Sequence, residues 1–282
     1  MESREKLLTR INTIPTIPTV YAALSTAIED PLATNNKLAK IISSDQASSF
    51  KILKIANSSF YGFRVKIETI SQAIFHIGFN EVKNIVFALT IMNLFSKNKR
   101  LPNYSPLDLW AHSIAVGIVT RLTGEGIGET NLENYFLAGI VHDIGKIILL
   151  EYEYNEYANV LKLTESGKYS MREAEMEVFG FDHTQIGFEL AKKWKLSLTV
   201  QETILHHHNV VSGKTNDSLI NSVYLANKIV RMLRLGFAGD RDLTQPDINI
   251  WDKLNIPEGY FTSIGDKIVK AYNQTISVML AE

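Results

Sequence analysis

The segment Ala138-Gly139-Ile140-Val141-His142-Asp143-Ile144-Gly145-Lys146-Ile147-Ile148-Leu149-Leu150 constrains this chain more than any other. Nearly every residue in it is apolar or glycine, so a fold must bury it on most sides. Yet three ionisable residues, His142, Asp143 and Lys146, stand in its middle. An unpaired buried charge costs several kcal/mol or forces a change of protonation. Whatever hides this segment must therefore bring partners to these side chains. Six further histidines are available, at positions 76, 112, 183, 206, 207 and 208. The chain has no Cys, which excludes disulfides, thiolate metal sites and a cysteine nucleophile, and points to a reducing compartment.

The surrounding pattern is helical throughout, and the fold class read from it is all-α. Residues 1–11 read as a short amphipathic helix. Ile14-Pro15-Thr16-Ile17-Pro18 must be extended, because proline disfavours helix in the residue before it. A helix over 20–28 stops at Asp30-Pro31, and Thr34 caps the next, with Leu38, Ile41 and Ile42 on one face. A further helix spans 48–56 and ends in the turn Asn57-Ser58-Ser59-Phe60-Tyr61-Gly62. Thr69-x-x-Gln72 has capping-box form, Gly78 breaks that helix, and a strongly apolar one follows to Phe95. In the second half, Ser105-Pro106-Leu107-Asp108 opens a helix to about Leu122. Thr130, Ser170, Asp182 and Ser197 stand where further helices need caps. A long amphipathic helix covers 219–235 and a last one 260–280. The charged run Lys97-Asn98-Lys99-Arg100, followed by Pro102 and Asn103, divides the chain into lobes at 1–97 and 104–282.

Several functions are excluded. The net charge is −1, from 29 basic and 30 acidic residues, so nothing draws the chain to nucleic acid or an anionic membrane. The longest uncharged apolar run, 85–95, is about half a membrane span. The N-terminus is charged and leads to no signal core, so a cytoplasmic location is expected. Ser212-Gly213-Lys214-Thr215 ends like a phosphate loop but lacks its first glycine and its strand. Gly124-Glu125-Gly126-Ile127-Gly128 reads as a loop between helices. His76 reads as a packing or surface residue, and Phe60, Tyr61 and Trp194 as core or interdomain residues rather than a base-stacking platform.

The histidines remain. His112 lies in the apolar helix segment Trp110-Ala111-His112-Ser113-Ile114, with Asp108 four residues before it on the same face. His183 follows the cap Asp182. His206 and His207 end the helix that starts near Ser197, and His208 is expected to face solvent. Asn227 falls on the buried stripe of its helix. Imidazole and carboxylate together suit Fe, Mn, Mg or Zn. The alternative is a set of buried hydrogen-bonded pairs, with Lys146 neutralising Asp143.

His112, His142 and Asp143 resemble the His and His-Asp ligands of the HD superfamily of metal-dependent phosphohydrolases. The wider set resembles the HD-GYP branch, in which Asp108, His183, His206 and His207 would hold a second metal. Lys146 matches the Lys of that superfamily's His-Asp-x-Gly-Lys motif, which helps hold substrate phosphate. In the N-terminal half, Ile14-Pro15-Thr16-Ile17-Pro18, Ile41-Ile42-Ser43-Ser44-Asp45, Asn57-Ser58-Ser59-Phe60-Tyr61-Gly62 and Ile70-Ser71-Gln72-Ala73-Ile74-Phe75-His76-Ile77-Gly78 look like successive signatures of the HDOD family. That family is an HD-related output domain of bacterial signalling, generally taken as non-catalytic, whose members often lack the metal ligands. The resemblance covers roughly residues 5–210. It implies an HD-like helical bundle with an N-terminal helical lobe, signalling through protein partners, two divalent metals and a possible nucleotide or phosphate ligand. If the site is active, Asp143 bridges the metals and Lys146 neutralises developing charge. Two departures count against turnover. Asn227 stands where a distal Asp is expected, and Asn209-Val210-Val211-Ser212-Gly213 replaces the Glu and Gly-Tyr-Pro of the HD-GYP branch.

Overall fold

The computed structural model describes residues 19–28, 34–95, 99–165, 167–213, 217–240, 243–257 and 259–280. The expected stretch over 1–11, Ile14-Pro15-Thr16-Ile17-Pro18, the stop at Asp30-Pro31, Lys97-Asn98 of the charged run and Lys214-Thr215 lie outside them. The described residues form fifteen helices and no strand; Leu101 and Tyr104 make one isolated bridge. The all-α expectation is met.

The chain divides into two compact units. One is Pro15–Leu94 with Gly259–Glu282. It holds α1 (Thr19–Ile28), α2 (Asn35–Ser43), α3 (Gln46–Ala56), α4 (Ile70–Ile77) and α5 (Phe79–Leu94). The closing helix, Tyr260–Met279, packs on α3, and Gln274 accepts a hydrogen bond from the Ser59 backbone at 2.6 Å. The expected boundary, which left 259–282 in the second lobe, therefore differs from the packing. The apolar stripe of this helix fits either core, and only the tertiary contacts choose. Thr34 caps α2, and Thr69 with Gln72 forms the full capping box of α4. Asp45 caps α3, which begins two residues before the expected Ser48. Gly78 bends α4 from α5 by 117°. No single helix among the described residues is long and apolar enough to cross a membrane.

The other unit is built on Phe95–Glu258. Its helices are α6 (Pro106–Gly126), α7 (Leu132–Val141), α8 (Ile144–Tyr152), α9 (Tyr154–Glu165), α10 (Met171–Phe179), α11 (His183–Lys193), α12 (Leu198–His206), α13 (Asp217–Met232) and α14 (Ile250–Leu254). The closing helix is α15. α6 packs against α7 and α13, and α11 against α8 and α12. The α6–α7 contact is backbone to backbone: a Cβ on Gly139 would lie 2.6 Å from the Gly117 Cα. Ser170, Asp182 and Ser197 cap α10, α11 and α12 as read from sequence. Asn131, not Thr130, precedes α7. α6 also runs through Gly124 and Gly126, which read as a loop. A side chain at Gly124 would press on Tyr135 and Leu132, at 2.8 and 2.9 Å, so close packing explains that glycine.

Candidate metal centre

The His-Asp doublet does not lie within one helix. α7 ends at Val141, His142 is its C-cap, and Asp143 is the N-cap of α8. On a continuous helix the two side chains would diverge by about 100°. At this joint they meet, with His142 Nε2 3.3 Å from Asp143 Oδ2. Asp143 makes no capping bond with its side chain, which is left to face the cluster.

Two glycines let the other elements approach. A Cβ on Gly145 would overlap the carbonyl group of His183, so α8 and α11 touch directly below the cluster. A Cβ on Gly236, at φ +71°, would overlap the backbone of His112. The segment after α13 thus straps across α6, where the Phe237 amide donates to the Asp108 carbonyl at 3.0 Å.

The tautomers follow from the acceptors behind each ring. His142 Nδ1 lies 2.7 Å from the Gly139 carbonyl, and His207 Nδ1 lies 2.9 Å from the Ile204 carbonyl. A carbonyl oxygen only accepts, so both Nδ1 atoms carry the proton and both Nε2 atoms turn lone pairs inward. Those lone pairs face a carboxylate, His207 Nε2 being 3.4 Å from Asp143 Oδ1. Nε2 of His112, His142 and His207 are buried without a hydrogen-bond partner, around a carboxylate that Lys146 and His183 reach from other sides. Lone pairs converging in this way repel one another unless a cation lies between them. Two overlapping groups result: His112, His142 and Asp143; and Asp143, His183, His207 and His208.

His183 is held from behind. Glu175, fully buried, accepts from its backbone amide at 2.8 Å and from its Nδ1 at 2.6 Å. A carboxylate on the outer nitrogen of a metal-binding imidazole fixes the ring and raises its basicity. Burial opposes the charged ring, but the Glu175 carboxylate outweighs it and His183 is pushed up to about 9. Its Nε2 lies 3.2 Å from Asp143 Oδ1 and 2.9 Å from His208 Nε2, so a proton occupies this place when no metal does. Burial pushes His207 down to about 4 and His112 well below its ordinary range, so both are neutral donors at neutral pH. Burial also opposes ionisation of Asp143, but its charged and hydrogen-bonding neighbours, Lys146 and His183 among them, more than offset it and hold the carboxyl well below the usual range.

Lys146 is 1% exposed, pairs with Asp143 Oδ2 at 2.9 Å and donates to the Ala238 carbonyl at 3.1 Å. It is committed inside the protein, so the expected hold on a substrate phosphate does not fit its position. Two expected ligands also lie apart. Asp108 is exposed and accepts from the Ser105 hydroxyl at 2.6 Å, serving the first turn of α6. His206 is outside both groups, and His208, expected in solvent, takes part instead. Asn227 is buried, with its Oδ1 unpartnered, and borders a cavity beside His207 and His208. Sequence reading missed Glu175, although an acid on the stripe of Met171 and Ala174 was a readable signal.

The cavity holds about 80 Å³ and is lined further by Ser170, Arg172, Lys228, Arg231 and Asp240. Through Ser170, Arg172 and His208 it adjoins an open cleft of about 670 Å³ that includes Tyr169, Glu173 and Met176.

The fold is known elsewhere. The crystal structure of an HDOD domain protein of unknown function from Geobacter sulfurreducens matches over 99% of both chains, with a TM-score of 0.81 and 24% identity. A Shewanella amazonensis protein provisionally named a metal-dependent phosphohydrolase matches over 99% of this chain and 100% of its own, with a TM-score of 0.70 and 22% identity. An uncharacterized protein of Treponema pallidum (strain Nichols) is 25% identical over 229 residues, 79% of this chain and 43% of that protein. The chain thus spans less than half the length of that relative. Residues 14–210 match the HDOD domain family model, most of the chain, and the chain belongs to the HDOD domain family.

Proposed function

We propose that this chain is a regulatory module of bacterial signalling that holds divalent metal in its His–Asp cluster and acts through protein partners. The supporting observation is the set of buried, unpartnered donor atoms, Nε2 of His112, His142 and His207, gathered around the Asp143 carboxylate. Imidazole and carboxylate without thiolate fit Fe, Mn or Zn better than Mg, which prefers oxygen ligands. His112 and His142 would hold one ion and His183, His207 and His208 a second, with Asp143 between them. Lys146 stabilises the Asp143 carboxylate, and Glu175 fixes His183. The absence of Cys fits work in a reducing compartment such as the cytoplasm.

The cavity beside the cluster favours a second reading, hydrolysis of a phosphate ester, in line with the name of the Shewanella protein. A bound divalent ion would supply a Lewis acid for a phosphoryl oxygen. Asn227 weighs against turnover, since an amide oxygen there leaves the site one negative charge short. The test is metal analysis of the full chain purified without added metal, then assay on p-nitrophenyl phosphate and its bis ester, for wild type and Asn227→Asp. The module reading expects bound metal, no turnover in wild type, and turnover gained by the Asp variant. Turnover by wild type establishes the hydrolase instead, and a folded, metal-free protein that takes up no added metal overturns both.

A further inference from the structure

The turn between α3 and α4 carries apolar side chains outward. Asn57 ties its start to its end: the Asn57 Nδ2 donates to the Ile67 carbonyl at 2.7 Å, and the Ile67 amide donates to the Asn57 Oδ1 at 2.8 Å. The Gly62 amide donates to the Ser58 carbonyl at 3.2 Å, with Gly62 at φ +65°. Beyond these anchors Gly62, Phe63, Arg64, Val65 and Lys66 are all exposed. Apolar Phe63 and Val65 alternate there with basic Arg64 and Lys66. Among the described residues, none hydrogen-bonds to the main chain of Phe63, Arg64 or Val65.

A row of rings extends this surface. Phe63 stacks on Tyr61, with centroids 6.3 Å apart, and lies 5.3 Å from His76 of α4. His76 meets Phe75 at 5.2 Å, and Phe75 is 78% exposed. Exposed apolar groups gathered in one place and rimmed by polar ones mark interaction sites. The charge of the rim selects the occupant. From Thr34 to Leu94 the chain has seven basic and three acidic residues, although the whole chain is net −1. All three acids are engaged within the unit, Asp45 by the Ser48 hydroxyl, Glu68 by Lys66 and Glu81 by the Tyr61 hydroxyl. Arg64 pairs with no carboxylate among the described residues. An acidic occupant complements this surface, whereas a second copy would set like charge against like. Phe63 has one face on Tyr61 and Val65 offers no ring, so the fit is to a peptide and not to stacked bases.

We propose that the turn 62–66, with Phe75 and His76, is the docking surface for an acidic peptide segment of a partner protein. Its carboxylates meet Arg64 and Lys66, and its apolar side chains lie on Phe63, Val65 and Phe75. The main-chain groups of the turn are open to hydrogen bonds from an extended segment. Because Asn57 and Ser58 already fix the turn, little ordering is lost on binding. The proposal rests on the reading that this chain acts through protein partners, and it holds whether or not the His–Asp cluster carries metal.

Selection of a displayed library of random short peptides on the immobilised full chain tests this, followed by calorimetric titration of the enriched peptides. These are expected to combine acidic with apolar residues and to lose affinity as salt rises. Phe75→Ala and Arg64→Glu alter exposed side chains, so the fold is kept, checked by melting temperature. Each should weaken the enriched peptides about tenfold. Ile248→Ala, at an apolar position of the other unit that is 79% exposed, should leave their affinity unchanged. No enrichment, enrichment of basic peptides, or unchanged affinity in both surface variants overturns the proposal. So does binding of oligothymidine that Phe75→Ala abolishes, which makes the surface a nucleic-acid site. A dimer in sedimentation that Phe75→Ala dissolves assigns it to a second copy and equally overturns the proposal. Peptide binding at this surface by a wild type that also turns over p-nitrophenyl phosphate keeps the docking surface and sinks the non-catalytic reading. Metal uptake with neither turnover nor peptide binding does the reverse.

Discussion

The two halves of the cluster share Asp143 and differ in almost everything else. His112 and His142 are sealed: both rings are buried, one in α6 and one at the end of α7, with centroids 5.5 Å apart. His207 and His208 line the cavity, with His183 buried beside them, and His208 is only partly buried. The sealed half has a backbone carbonyl behind His142; the open half has a buried carboxylate, Glu175, behind His183. A sealed group can hold an ion but gives a ligand no approach. An open group with a negative second neighbour and an adjacent cationic cavity can exchange what it binds. The contrast separates a holding role from a sensing or reacting one within a single cluster.

Asp143→Asn tests what the halves have in common, and the largest effect is expected there. The variant keeps the side chain's shape and removes the charge from both groups. Metal content should fall below about a tenth of wild type, because neutral imidazoles alone bind hard cations weakly. Lys146 would be left buried without its counter-charge, a loss of about 3–5 kcal/mol in unfolding free energy. Elemental analysis and denaturant unfolding read the two effects. Metal retained by the sealed half would show that the halves do not depend on the shared carboxylate.

Much of this was readable beforehand, and the misses have physical causes. Helix starts were legible because Thr34, Ser170, Asp182 and Ser197 accept hydrogen bonds from the first turn that follows each. That chemistry is local. The joint between α7 and α8 was not legible, because neither proline nor glycine marks it; the pull of packing on both sides of the doublet makes it. The glycines of α6 misled for the opposite reason, since their propensity says loop while contact with Tyr135 and Leu132 says helix. The choice among the three consecutive histidines was decided by register. Thr203 and Ile204 are buried, so the residues four further on, His207 and His208, continue that face and His206 does not. For Lys146 the sequence offered both phosphate binding and a pair with Asp143; the pair is present, and the strap bearing the Ala238 carbonyl decides where the ammonium goes.

Paired variants give the next effect in size and address the two halves separately. His112→Gln removes a donor from the sealed half, and Glu175→Gln weakens the open half through His183. Each should weaken one class of bound metal by about 10–100-fold and leave the other class within experimental error. Competition titration against a chromophoric chelator resolves the classes. If both variants weaken every bound ion alike, the cluster is one coupled site and the division into halves is wrong.

The smallest expected effect concerns the cap that anchors the open half alone. Asp182 accepts from the amides of Thr184 at 2.9 Å and Gln185 at 3.3 Å, and from Arg172. Burial opposes its charge, but His183, Thr184 and Arg172 outweigh that and its carboxyl lies at about 2. A folded value below the ordinary 3.8 means that the unfolded chain takes up the proton first as pH falls. The stabilisation is therefore complete above about pH 4 and is lost towards pH 2. His183 in the metal-free protein works the other way, since its value of about 9 lies above the ordinary 6.5. Its contribution is complete below 6.5 and disappears as pH rises through 9, so the two windows do not overlap. Asp182→Asn in the metal-free protein should cost about 1 kcal/mol near pH 6, and the difference from wild type should shrink by pH 3. Urea unfolding at the two pH values measures it. A difference that stays constant with pH would mean that the cap works through shape alone. The negative charge at the start of α11 would then have no part in setting the open half apart from the sealed one.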